Sequence, residues 1–210
     1  MYLLLVPVNP GAERTFTSQA RREQIVAAAI TTIAETGLAR TSFALIAQRA
    51  GLSSTRMISY HFAGKDDLLE AVVSEVFSVA GSFIEPYVVA YPTPTGQLRG
   101  IIEGHSAFYA AHRAHVTAVR DIWFNFRRPD GTRRYGIDAF ELEFAMVSQL
   151  LRAGQTSGEF REFDPRMMAV TLRHALDGLA ELIAAEPDLD VEACTRELVA
   201  IFDGATRSTR

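Results

Sequence analysis

The chain is poor in cysteine, lysine and tryptophan: Cys194, Lys65 and Trp123 are the only representatives among 210 residues. One cysteine excludes an intrachain disulfide and agrees with a reducing, cytoplasmic setting. No apolar run approaches the ~18 residues of a membrane span, so no membrane partner is expected. The N-terminal MYLLLVPVNP is apolar, but it is short, lacks a basic flank and carries Pro7 and Pro10. Residues 1–17 therefore read as a flexible leader rather than a secretory signal. Alternating strand patterns, internal repeats and the GxSxG and HExxH motifs are all missing, which argues against an enzyme. Acids, too, are missing from one place: between Thr41 and Lys65 there is no Asp or Glu.

What is present is helical. An apolar fraction of 48% with 22% charged residues is that of a globular protein, not a disordered one. From Ser18 to Thr36 the sequence is Ala-rich, with Ile25, Ala29 and Ile33 on one face, and it stops at Gly37. TSFALIAQRAG follows, with Ser42 as N-cap, an apolar stripe of Phe43, Ile46, Ala47 and Ala50, and Gly51 suited to positive φ. Ser53 or Ser54 then caps a second short helix reaching His61. A long helix begins at Lys65 and is ended or kinked at Pro86, with YPTPTG as a loop. Further helices are expected at about 97–112, 114–126, 135–155, 165–185 and 191–205. The expected fold is all-α with about nine helices.

The acid-free segment carries Arg49, Arg56, Lys65 and His61, on a chain whose net charge is −4. A locally basic element on an acidic body suits a phosphate-binding head. Two short helices joined at a glycine make a helix-turn-helix, whose second helix enters the major groove of DNA. Ser54, Thr55 and Arg56 would meet phosphate, Arg56 suits guanine, and Met57 can touch a thymine methyl. Ile58 and Phe62 fall on the opposite face as anchors. A helical hairpin with a merely solvated polar face is the plainer reading of the same residues.

TSFALIAQRAG followed by ISYHFAGKDDLLEAV resembles the N-terminal DNA-binding domain of the TetR family of bacterial transcriptional regulators. Thr41, Ile46, Ala47, Ala50, Gly51, Tyr60, His61, Phe62 and Lys65 stand at the recurring family positions. The likeness covers about residues 18–75. It implies DNA contacts at Ser42, Thr55, Arg56, Met57, Ser59, Tyr60 and His61, with Lys65 as a phosphate contact. It also implies a helix-turn-helix domain over 18–64, then a helical effector-binding and dimerisation domain over 65–210. The implied function is a repressor that binds a near-palindromic operator as a homodimer, needs no cofactor, and is released by a small molecule. The sequence departs from the family at GLSS, which is one residue longer than the usual turn, at Ser59, where an aromatic is frequent, and at Ala44.

In the body, His105, Phe108, Tyr109, Arg120, Trp123, Phe124 and Phe126 mix aromatic and polar groups. They read as walls of a pocket for an apolar or aromatic effector, or as ordinary core. His105, His112 and His115 do not complete a metal set, because a helix break separates them. Leu172, Ala175, Leu176, Leu179 and Ile183 form one C-terminal stripe, and Val191, Cys194, Leu198 and Phe202 another. They either complete the monomer core or, as the resemblance implies, form a four-helix dimer seam. A helical-bundle enzyme with His105 or His174 as base, and a protein-interaction module, are the alternatives.

Overall fold

The computed structural model describes residues 16–208 and, among them, nine α-helices with no strand beyond isolated bridges. The leader expected over 1–17 lies outside the described residues, except that the first helix, α1 (Phe16–Thr36), already includes positions 16 and 17. Then come α2 (Phe43–Arg49), α3 (Arg56–His61), α4 (Lys65–Val89), α5 (Pro94–Ala111), α6 (Arg113–Asn125), α7 (Glu141–Ser157), α8 (Pro165–Ala185) and α9 (Val191–Thr206). The all-α expectation holds.

Three boundaries differ from the sequence reading. α7 starts at Glu141 rather than near 135, because Ile137–Phe140 form a separate 3-10 turn ahead of it. α4 runs through Pro86 for three further residues rather than stopping there, to Val89. α5 starts at Pro94 rather than near 97, because the Thr93 hydroxyl accepts the Gly96 N–H at 3.2 Å and Pro94 takes the first helical turn, where its missing N–H costs nothing.

The described chain forms two compact units, one of residues up to Val79 with Ala114–Gly136, the other of Ala80–Arg113 with the described residues from Ile137 onward. In the N-terminal unit α1, α2 and α3 pack on one another. Its core is built from the stripes the periodicity marks out: Ile25, Ala29 and Ile33 of α1, Ile46 and Ala47 of α2, and Ile58 of α3 are all buried. Gln24 Nε2 also donates to the Ala50 carbonyl at 2.7 Å, tying α1 to the end of α2.

In the C-terminal unit α8 packs on α7 and α5, and α5 on α9. Leu98, Ile102 and Phe108 of α5 and Phe144 and Leu151 of α7 are buried with the inner face of α8. Gly154 is there because nothing larger fits: a Cβ would stand 2.1 Å from the Phe160 ring. α7 ends one turn later at Gly158, whose φ of +79° suits glycine.

Candidate nucleic-acid interface

Ser42 sits in extended backbone ahead of α2, and its Oγ accepts the Leu45 N–H at 3.3 Å, as an N-cap should. α2 closes in a Schellman turn: the Gly51 N–H reaches the Gln48 carbonyl at 3.1 Å and the Leu52 N–H the Ala47 carbonyl at 2.9 Å. Gly51 holds φ +63°, the left-handed conformation this turn demands of it.

α3 then begins at Arg56, one residue later than a Ser54 cap would give. Thr55 occupies the cap position without a capping bond of its own, while Ser54 Oγ accepts the Arg56 N–H at 3.1 Å. The extra residue of GLSS is absorbed in this way. Helical spacing sorts the rest. Ile58 and Phe62 turn inward, and the Arg22 guanidinium lies 4.7 Å from the Phe62 ring centre, clamping α3 to α1. Ser53, Ser54, Thr55, Arg56, Met57, Ser59 and Tyr60 are exposed, Tyr60 by 80%.

His61 is a correction. It follows Ile58 by three residues, shares its face, and is buried with its ring edge-on to Tyr60 at 5.1 Å. It shares the buried side of α3 with Ile58, unlike the other expected contacts on this helix.

Lys65 is exposed at the start of α4, and its Nζ donates to the Leu38 and Thr41 carbonyls at 3.4 Å each. An ammonium has three donors, so this geometry orients the charge and leaves capacity for a phosphate oxygen. Below it, Asp121 of α6 accepts the Leu38 N–H at 2.6 Å and the Asn125 amide at 2.7 Å, fastening the turn between α1 and α2.

Residues 25–72 match the family described as bacterial regulatory proteins, tetR family. That match covers the helix-turn-helix and the start of α4 and makes this segment similar to the DNA-binding part of that family. The chain is 35% identical to the HTH-type transcriptional regulator BetI of Stenotrophomonas maltophilia over 50% of itself and 52% of that protein. It is 36% identical to the HTH-type transcriptional regulator BetI 1 of Chromohalobacter salexigens over 52% of itself and 55% of that relative. The chain thus spans about half the length of these curated relatives. Its fold is also that of the fatty acid degradation regulator FadR from Bacillus halodurans, with a TM-score of 0.74 at 20% identity over 92% of this chain and 97% of the other.

The residues expected to line an effector pocket do not form one group within either unit. In the N-terminal unit Trp123 stacks on Tyr135 at 4.9 Å beside Phe77, Phe126 is buried next to Tyr135, Arg120 is half-buried, and Phe124 is 45% exposed. This cluster joins the end of α6 to the loop after it, and Phe124 encloses nothing. In the C-terminal unit Phe108 stacks on His112, while His105 and Tyr109 adjoin a half-buried charge cluster. There Arg173 donates to the Tyr109 hydroxyl at 2.9 Å and to Asp177 at 2.5 Å, with Glu143 at 3.4 Å and the Phe140 ring centre at 5.1 Å.

Burial works against the Arg173 charge, but Tyr109, Glu143 and Asp177 outweigh it and hold the guanidinium firmly protonated. Burial, and then the Arg173 charge, keep His105 below the ordinary imidazole value. Its Nδ1 is 2.8 Å from the Ile101 carbonyl, which fixes the proton on that nitrogen. Arg173 and Glu143 escaped the sequence reading; their spacing from Tyr109 spans three helices, and no local pattern marks it.

The dimer stripe needs correcting as well. Leu172, Leu176, Leu179, Ile183 and Phe202 are buried inside their own chain, and Ala175 and Leu198 are half-buried. Of the two readings of these stripes, monomer core is the one realised for the buried five. The large apolar residues that α8 and α9 leave outward are Met167, Leu182 and Ile201.

Proposed function

We propose that the chain is a DNA-binding transcriptional repressor that acts as a homodimer and is released from its operator by a small-molecule effector. The observation that carries this reading is the division of α3: Ile58, His61 and Phe62 are buried, while Thr55, Arg56, Met57, Ser59 and Tyr60 face outward from a segment without a carboxylate. Thr55 and Ser59 suit phosphate oxygens, Arg56 suits the guanine edge, and Met57 suits a thymine methyl. Ser42 and Lys65 flank them as backbone contacts. The curated relatives bear the name of HTH-type transcriptional regulators, which agrees with this role.

A dimer gives the short reading helix its reach, since two heads ~34–36 Å apart address successive major grooves on one face of the duplex. The surface that fits this role runs along the outer sides of α8 and α9, through Leu182 and Ile201. At Gly178 and Gly204 a Cβ would meet nothing within 4 Å, which leaves room for another backbone to approach. The effector reading is supported by the Arg173, Tyr109 and His105 group, a set of polar side chains on the inner sides of α5 and α8 that could anchor a small molecule.

Selection of bound sequences from a random duplex pool tests the proposal. Recovery of a palindrome with half-sites about one helical turn apart is the expected result. A pool that stays random through successive rounds contradicts sequence-specific binding.

A further inference from the structure

Between α6 and α7 the sequence RRPDGTRR places four arginines around a turn. The structure makes it a closed hairpin. The Gly131 N–H reaches the Arg128 carbonyl at 2.9 Å, the Arg128 N–H reaches Thr132 at 2.8 Å, and the Arg134 N–H reaches Phe126 at 3.0 Å. Gly131 has φ +83°, as in a three-residue hairpin loop, and the Asp130 carboxylate caps the turn by accepting the Thr132 N–H and hydroxyl at 2.9 and 2.6 Å.

The hairpin is anchored at both feet. Arg134 pairs with Glu70 of α4 at 2.7 Å, and Tyr135 stacks on Trp123. Arg127 and Arg133 form a bridge pair directly opposite one another, and both meet Phe124: Arg127 through its carbonyl at 2.6 Å, Arg133 over its ring at 5.8 Å. Like charges facing each other across a pair destabilise it, and the neutral Phe124 and Phe126 carbonyls that Arg127 reaches do not cancel its charge. An anionic partner would relieve that repulsion.

Its position says which anion. The hairpin belongs to the same compact unit as α3, and Arg127 lines an open groove of ≈590 Å³ with Leu38, Lys65, Asp66, Asp121 and Asn125. Asp121 is already engaged by Leu38 and Asn125, so Lys65 and Arg127 stand in one groove beside the helix-turn-helix.

We propose that the Arg127–Arg133 face of this hairpin is a second DNA-backbone contact, taking duplex phosphates beside those held at Lys65. It rests on the DNA-binding reading above and adds a contact from outside the helix-turn-helix. Rigid anchoring suits the role, because the guanidinium pair is ordered before DNA arrives.

The test uses the full chain and a labelled duplex of arbitrary sequence, titrated across a series of salt concentrations. Arg133→Ala lowers the slope of log K against log salt by about one, and Arg127→Ala/Arg133→Ala by about two, since each phosphate contact releases about one counterion. Arg127→Lys/Arg133→Lys keeps most of the wild-type slope, because the charges remain. Helix content by circular dichroism stays that of wild type in all three, as both side chains are exposed. Alanine variants with the wild-type slope overturn the inference and leave the DNA-binding reading standing. A lysine pair that loses as much slope as the alanine pair overturns it too. Should the wild type itself show no salt-dependent binding to duplex, both readings fall together.

Discussion

Side chains three residues apart on α3 have opposite fates from those next to them, and this gives the sharpest expectations at the residue scale. Arg56→Ala relaxes base preference at one operator position and costs about 1–3 kcal/mol of binding there. His61→Ala does something different. It removes a buried ring behind the reading face, lowers the melting temperature by an amount matching about 1–3 kcal/mol, and leaves the salt slope unchanged. Melting curves and salt titrations of the two variants separate these roles; a His61→Ala protein that melts normally but loses salt slope would make His61 a DNA contact after all. That distinction was only half legible. The resemblance put His61 with the contacts, and its three-residue spacing from Ile58, the signal that it lies inside, went unused. His105 offers a pH test in the other unit. Its imidazole value is depressed, so the stability tied to its neutral form is present above ~6.5 and is lost as pH falls below that toward the folded value. Chemical denaturation at pH 7 and pH 5 shows the loss in wild type, and His105→Gln flattens it. An identical pH dependence in His105→Gln would assign the effect to other groups.

At the scale of whole elements, α8 has two apolar sides and the sequence shows only that it is apolar. The stripe through Leu176 and Leu179 is the regular one and it packs inward, against α5 and α7. Leu182, outside that register, is 45% exposed, and Ile201 of α9 is 60% exposed. Leu176→Glu therefore buries an unpaired carboxylate and yields little folded protein, at a cost of several kcal/mol. Leu182→Glu and Ile201→Glu leave the fold intact and give a monomer with weakened operator binding. Analytical sedimentation reads this directly, and a soluble, folded Leu176→Glu monomer would reverse the assignment. Helix positions were legible because periodicity and caps agree: α8 starts at Pro165 and ends at Ala185, as its Asp164 cap and apolar spacing indicate. The hairpin was not, since PDG marks a break in helix without saying that the flanking arginines pair. Which side of an apolar helix faces a partner depends on distant elements, and no local pattern records it.

Across the whole molecule, a net charge of −4 conceals an acid-free stretch from Thr41 to Lys65 that carries Arg49, Arg56 and Lys65, and that contrast is the physical basis of the regulatory reading. Contacts of basic side chains with phosphate release counterions, so binding is expected to weaken steeply with salt. Residues 18–75 carried the family likeness and hence most of the functional reading. The C-terminal unit offered only helix count and apolar faces, because many sequences satisfy the same packing. The central claim is that the outward side of α3 is what touches DNA. Amide hydrogen exchange of the full chain, with and without a duplex recovered by selection, tests it most directly. The account predicts slowed exchange at the start of α2 and along Thr55–His61, with the buried core of α8 unchanged. Protection that falls elsewhere while α3 exchanges as in the free protein would contradict it.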